Sequence, residues 1–74
     1  MSVKLNVIIE NDADGYYAYC PELPSCQTQG NDFEDAMSNI REAAGLYLET
    51  LSKKELGELT RKQVVPTDME VAVA

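Results

Sequence analysis

The sequence contains no histidine and only 2 cysteines in 74 residues. Without an imidazole, the chain cannot assemble a Ser-His-Asp or Cys-His catalytic group, or histidine-based ribonuclease chemistry. Two cysteines supply neither a four-ligand zinc site nor a disulfide framework within one chain. A domain this small therefore lacks the usual metal and covalent cross-links, and we expect it to form a homo-oligomer, a dimer or larger.

Basic residues are also scarce, with 6 Lys and Arg against 13 Asp and Glu, for a net charge of −7. The excess lies in residues 1–50, where Lys4 and Arg41 are the only bases. Negative charge repels nucleic-acid phosphates and anionic membranes, and it attracts basic proteins. We therefore predict a protein partner, no direct nucleic-acid binding and no membrane association.

Long apolar runs are missing as well, so the sequence predicts no membrane span, and its first residues do not have the pattern of a signal peptide. We expect a soluble, cytoplasmic protein. The length allows a single domain covering residues 1–74, without a separate C-terminal DNA-binding domain.

What the chain does contain is alternation typical of strands. Apolar and polar side chains alternate in residues 3–9 and again in residues 69–73, as in strands with one buried face. Two further strands, Tyr16–Cys20 and Cys26–Gly30, are predicted between them. The polar turn before Tyr16 ends at Gly15, which adopts a positive φ without steric cost.

A helix start follows the third strand. Asp32 is placed to cap the helix, and Asp35 stands three residues later, where a capping box has its acidic residue. Apolar residues then recur every three or four positions, which predicts a helix lying on the core. Gly45 lowers helix propensity, and a close approach of the helix to the sheet would explain it. We also expect one or two further helical turns between Ser52 and Gln63.

These elements predict an α+β fold with β-β-β-α-β topology. Short turns join the first three strands into an antiparallel meander, and a right-handed crossover through the helix returns the chain beside the first strand. The predicted product is a four-stranded sheet in the order 3-2-1-4, with one helix packed on one face. The opposite face carries apolar residues, and this face or an edge strand is the expected oligomer contact.

Cys20 and Cys26 flank the turn between the second and third strands. We interpret them as reduced thiols that behave as small apolar side chains, with a disulfide or a metal shared between subunits as alternatives. A catalytic cysteine is not expected, because no histidine or nearby cation is evident to lower its pKa. We predict no metal site and no cofactor within the chain.

The run from Glu10 to Tyr47 resembles the HicB family of antitoxins, formerly described as an uncharacterised protein family. The resemblance rests on GYYAYCPELP after an acidic turn, then a cysteine-ended turn, QG, and a capped helix containing EDAMSNIREA. The family usually has glycine where this chain has Ser25, and often threonine at the cap, where Asp32 stands. The resemblance implies a β-β-β-α-β domain similar to part of the ribonuclease H fold.

The resemblance also implies a function. HicB-like antitoxins typically bind HicA toxins, which are small basic ribonucleases that degrade mRNA, and block their active sites. We therefore predict an antitoxin of a type II toxin-antitoxin system that neutralises a HicA-like toxin by direct binding. The candidate contact residues are acids of the turns and tyrosines of the second strand: Asp12, Asp14, Tyr17, Tyr19 and Glu22.

Two other hypotheses stay open at this point. The first is a stand-alone oligomeric module, regulatory or ligand-binding, without a toxin partner. The second is a nuclease derived from the ribonuclease H likeness, which would need carboxylates converging on two metal ions. Residues 3–9 supply no carboxylate, and Glu70 is predicted on the opposite face from Met69 and Val71, so we predict that the chain is not an enzyme.

Overall fold

In the computed structural model, which describes residues 2–74, the chain forms three strands followed by two helices. The strands are β1 (Ile8–Asp12), β2 (Gly15–Tyr19) and β3 (Gln27–Gly30), and the helices are α1 (Phe33–Glu49) and α2 (Lys53–Arg61). The strands form one antiparallel sheet in the order β1-β2-β3. Helix α1 packs over β3 and β2, so it covers one face of the sheet.

The first hairpin forms as its turn residues predict. Asp12 is paired with Gly15 across the turn, and Gly15 has a φ of 124°. The backbone N–H of Asp14 donates to Asp12 Oδ1 at 2.8 Å, which holds the turn with a local side-chain bond. The predicted positive φ at Gly15 is confirmed.

The second turn, between β2 and β3, is held by its own backbone. Cys20 N–H donates to the carbonyl of Cys26 at 3.1 Å, and Leu23 N–H donates back to the carbonyl of Cys20 at 3.1 Å. Ser25 has a φ of 64°, in the left-handed region that favours glycine. This geometry gives a physical reason for the glycine that the HicB resemblance places there.

Helix α1 begins with the predicted cap. The backbone N–H of Asp35 donates to Asp32 Oδ1 at 2.8 Å, and Asp35 Oδ2 accepts from the N–H of Asn31 at 2.8 Å. The side chain of Asn39 donates to the carbonyl of Gln29 at 2.8 Å. These bonds fix the start of the helix against the end of β3.

The glycine at a close approach of helix and sheet is Gly30, not Gly45. A Cβ atom at Gly30 would lie 2.4 Å from the backbone nitrogen of Ala36, whereas a Cβ atom at Gly45 would meet nothing within 4 Å. The explanation of Gly45 by close packing is therefore wrong. The residue that permits the contact is the last residue of β3.

The core is built mainly from small side chains. The buried apolar residues come from β2, the second turn and one face of α1: Ala18, Cys20, Leu23, Cys26, Ala36, Ile40 and Ala44. Of these, Ile40 is the largest side chain that is almost completely buried. Small residues on both surfaces allow the helix to lie close to the sheet.

The predicted fourth strand and its 3-2-1-4 order are wrong. Within residues 2–74, no helix or strand follows Arg61, and every residue from Val65 to Ala74 is exposed. The topology is β-β-β-α-α, and the strand that a ribonuclease H likeness requires beside β1 is not part of it. Alternation predicts the side chains that share a face, but a strand also needs a pairing edge, which alternation does not identify.

The predicted fold with one helix is wrong, whereas the further helical turns expected between Ser52 and Gln63 are present as a second helix. Ser52 and Glu55 form a complete capping box, in which each side chain accepts a hydrogen bond from the backbone of the other. This box starts α2, which continues through Gly57 to Arg61. A Cβ atom at Gly57 would also meet nothing within 4 Å, so this glycine marks no close approach.

The first strand is shifted along the chain from its predicted position. β1 covers Ile8–Asp12, and residues 2–7 precede it without strand assignment. The backbone N–H of Asn6 donates to the carboxylate of Glu22, at 3.0 Å to Oε2, and so points at a side chain and not at a neighbouring strand. Leu5 and Val7 nevertheless pack against the core, as the alternation predicts.

Candidate partner-binding surface

The strand register places six side chains on the face of the sheet opposite α1. Ala18 is fully buried beneath the helix, so its neighbours Tyr17 and Tyr19 point to the other side. Cross-strand pairing adds one residue of β1 and one of β3 beside each tyrosine. We call the six residues the open face: Ile8, Glu10, Tyr17, Tyr19, Gln27 and Gln29.

Two tyrosines form the centre of the open face. Their ring centroids are 5.8 Å apart with an interplanar angle of 48°, a tilted arrangement that favours aromatic contact. The hydroxyl of Tyr17 donates to Oε1 of Gln27. Tyr17 and Tyr19 are both partly exposed, so they offer an ordered apolar surface with polar atoms at its margin.

An acidic cleft continues from one end of the open face. It has a volume of about 560 Å³ and lies where the β1–β2 turn meets the connection from β3 to α1. Four carboxylates line it, from Glu10, Asp12, Asp14 and Asp35, and Tyr17 and Gln29 form its border with the open face. A concave surface with this much negative charge attracts cationic groups.

Glu22 lies apart from this surface. It is 7% exposed and sits in the second turn. Its Oε2 accepts from the side-chain amide of Asn6 at 2.8 Å, and the same amide donates to the carbonyl of Val64 at 3.1 Å. Glu22 therefore connects the turn to the residues before β1 and, through Asn6, to the chain after α2.

The structure brings together four of the five predicted contact residues. Asp12, Asp14 and Tyr17 line the acidic cleft, and Tyr19 reaches it through its contact with Tyr17, whereas Glu22 does not join them. The open face and the carboxylates of the cleft add five residues that were not predicted as contacts: Ile8, Glu10, Asp35, Gln27 and Gln29. Period-two alternation could have identified Glu10, Gln27 and Gln29, because it places them on one face with the tyrosines.

The two cysteines are buried, free thiols on the covered side of the molecule. Burial raises the pKa of the Cys20 thiol from 9.0 to about 11, and the neighbouring Cys26 and Glu22 add to the rise. A thiol with this pKa stays protonated at neutral pH and is a poor nucleophile. The cysteines therefore act as core residues, as their interpretation from the sequence proposes.

Two further observations concern metal binding and membrane crossing by the described residues. Among residues 2–74, no three Cys, Asp or Glu side chains are grouped so that they could hold a metal ion. Neither helix in this part of the chain is long and apolar enough to cross a membrane.

The chain is a small α+β domain in which an aromatic face lies beside an acidic cleft. Comparison with protein families identifies the class of protein. Residues 5–71 match the model of the HicB_like antitoxin of bacterial toxin-antitoxin systems. The chain belongs to this family, which confirms the resemblance found in the sequence and supports an antitoxin-like role.

The chain is also similar to full-length relatives in bacteria and archaea. A UPF0150 protein of Helicobacter pylori is 43% identical over 70 residues, which are 95% of this chain and 97% of the relative. A UPF0150 protein of Archaeoglobus fulgidus is 42% identical over 64 residues, covering 85% of this chain and 93% of the relative. No solved structure showed a significant match.

Proposed function

We propose that this chain is the antitoxin of a type II toxin-antitoxin pair and neutralises a HicA-like, mRNA-degrading toxin by direct binding in the cytoplasm. It acts as a binding module and not as an enzyme. The observation that carries the proposal is the continuity of the aromatic open face with the acidic cleft. A basic ribonuclease offers the complementary charge.

The acidic cleft has the role of guiding and orienting the toxin. Opposite charges raise association rates, by a factor of about 10 to 1,000 for strongly complementary pairs, and the effect falls with ionic strength. Asp12 and Asp14 lie at the tip of the first hairpin, exposed to an approaching partner. We propose that they contact basic side chains around the toxin's active site.

The tyrosines have the role of anchors. Aromatic residues dominate the binding energy of many interfaces because they bury a large area with little loss of side-chain freedom. Tyr17 and Tyr19 are already held by each other, and Tyr17 also by Gln27, so little further ordering is needed when they bind.

Glu22 contributes indirectly in this proposal. Its hydrogen bonds to Asn6 hold the second turn against the residues that lead into β1. Loss of these bonds would displace the strands that carry the open face. We also propose that the protein works as a homo-oligomer, since a small core alone supplies little stability.

Co-expression with a HicA-like toxin encoded beside the gene tests the proposal. We expect relief of growth arrest and co-purification of the two proteins. Continued arrest without co-purification would contradict the antitoxin role and favour a stand-alone oligomeric module.

A matched pair of substitutions tests the surface. Asp14→Lys should slow toxin association and reduce its salt dependence, because it reverses charge at the acidic cleft without removing the side chain of Asp12 that holds the turn. Glu58→Lys makes the same charge change at an exposed position of α2 and serves as the control. Equal association rates for the two variants, measured by stopped flow, would exclude the acidic cleft as the contact.

A further inference from the structure

The 65–74 segment exposes more apolar surface than a folded chain usually leaves in water. Met69, Val71 and Val73 are 85%, 68% and 92% exposed. They alternate with Glu70 and Ala72, so one side of an extended segment carries all three apolar side chains. Contiguous apolar exposure of this kind marks an interaction site.

A complementary surface lies beside β1. This strand is at the edge of the sheet, and within residues 2–74 the backbone groups along its outer side have no neighbouring strand. Because α1 lies over β3 and β2, an apolar cleft of about 330 Å³ stays open between the helix and the residues that lead into β1. The cleft is lined mainly by apolar side chains, among them Leu5, Val7, Met37 and Leu48, and Arg41 is the one charged residue among the described residues of its lining.

The surface area of the chain leaves room for a large contact. The accessible area is 6073 Å², whereas a compact monomer of 8.2 kDa exposes about 4,500 Å². The excess of roughly 1,500 Å² exceeds the ~800 Å² that each partner buries in an interface of standard size. The extents of 47 × 30 × 17 Å describe the same departure from a compact shape.

The residue that precedes the 65–74 segment is held near the free edge of β1. Asn6, two residues before β1, donates its side-chain amide to the carbonyl of Val64 at 3.1 Å. The segment therefore leaves the body next to the start of β1, yet every one of its residues stays exposed in the single chain. Each copy thus carries both an unpaired extended segment and an unoccupied edge.

We propose that the 65–74 segment of one copy lies in extended form along the free edge of β1 in a second copy, with Met69, Val71 and Val73 in the apolar cleft. A two-fold axis lets two copies exchange segments, so that one arrangement satisfies both edges and both clefts. Backbone hydrogen bonds give affinity in this mode, and the alternate side chains give specificity. Each subunit keeps its own three strands and two helices.

This inference names the contact of the homo-oligomer proposed above and is independent of the toxin. Val71→Lys and Ala72→Lys test it as a matched pair, because both add the same charge to neighbouring exposed positions on opposite sides of the segment. Sedimentation equilibrium should show a dimer for the unmodified chain. The dissociation constant should rise by at least about tenfold with Val71→Lys and change little with Ala72→Lys, because only the lysine introduced in place of Val71 would enter the apolar cleft.

Hydrogen exchange distinguishes a 65–74 segment that binds a second copy from one that folds back onto its own chain. Amides of β1 and of the 65–74 segment should gain protection as protein concentration rises. Protection that is independent of concentration would overturn the proposal. If both substitutions weakened the dimer equally, or if neither weakened it, the proposed contact alone would be wrong. A monomer at every concentration would contradict the homo-oligomer as well. Unchanged helical circular dichroism in both variants would show that each still folds.

Discussion

The two faces of the sheet are built from different kinds of side chain. The face under α1 presents small residues, such as Ala18 and Gly30, that let the helix lie against the strands. The open face presents two tyrosines and polar residues of both neighbouring strands. The contrast indicates that the packing of helix on sheet depends mainly on the covered face, and it is the basis of the recognition role proposed for the open face.

We expect the largest loss of folding stability when atoms are added to the covered face, where helix and sheet are in close contact. Gly30→Ala places a methyl group against the backbone of Ala36, and we expect it to lower the free energy of unfolding by about 3 kcal/mol, at the upper end for an overpacked core. Gly45→Ala is the control, because it adds the same group in open space and should stabilise α1 by up to ~1 kcal/mol. Urea denaturation of the two variants measures both effects, and similar values would refute the close approach at Gly30.

Tyr16 and Tyr17 lie on opposite faces of β2 and both line the acidic cleft, so folding and binding should depend on them to different degrees. Tyr16→Ala removes a side chain packed against the core and should cost about 2 kcal/mol of stability. Tyr17→Ala should cost less stability but weaken toxin binding by about 2 kcal/mol, or roughly 30-fold. Thermal unfolding and titration calorimetry measure the two quantities. If Tyr16→Ala weakened binding more than Tyr17→Ala, the assignment of roles to the faces would be reversed.

The thiol on the covered face predicts a pH-dependent effect. The pKa of Cys20 is about 11 in the folded chain, above its ordinary value of 9.0, so the folded state holds this proton more tightly. Its contribution to stability is complete below pH 9.0 and is lost as pH rises through about 11. The difference in unfolding free energy between the unmodified chain and Cys20→Ala should therefore shrink across this window. A constant difference would contradict burial as the cause of the shift.

The turn between β2 and β3 belongs to neither face and should give the smallest effect. Ser25 has a left-handed φ of 64°, which is unfavourable for a residue with a side chain. Ser25→Gly should raise the free energy of unfolding by up to about 1 kcal/mol, partly offset by the greater freedom of glycine in the unfolded chain. Ser25→Ala is the control and should not stabilise. Thermal melts that rank alanine above glycine would show that this backbone position carries no strain.

The sequence was informative where structure depends on neighbours in the chain. The cap at Asp32, the turn at Gly15 and the shared face of Tyr17 and Tyr19 follow from local chemistry or from a short period. The pairing of the three strands with their neighbours also follows, because short turns permit little else.

Features that depend on distant partners were not predictable in the same way. Glu22 resembles other turn acids in the sequence, and its burial depends on Asn6, 16 residues away. The glycine that lies against a helix could be Gly30 or Gly45 until the helix has been placed. Residues 69–73 have the alternation of a strand, but the pattern does not specify an edge with which they pair.

The link from Asn6 to Val64 also has a consequence for the order of folding. It joins residues 58 positions apart, whereas the paired residues of the first hairpin lie close in the chain. Closing a longer loop costs more chain entropy, so this bond should form late, after the hairpin and α1 are in place. It should also break early in native-state opening, releasing residues 62–74 while the strands and α1 stay folded.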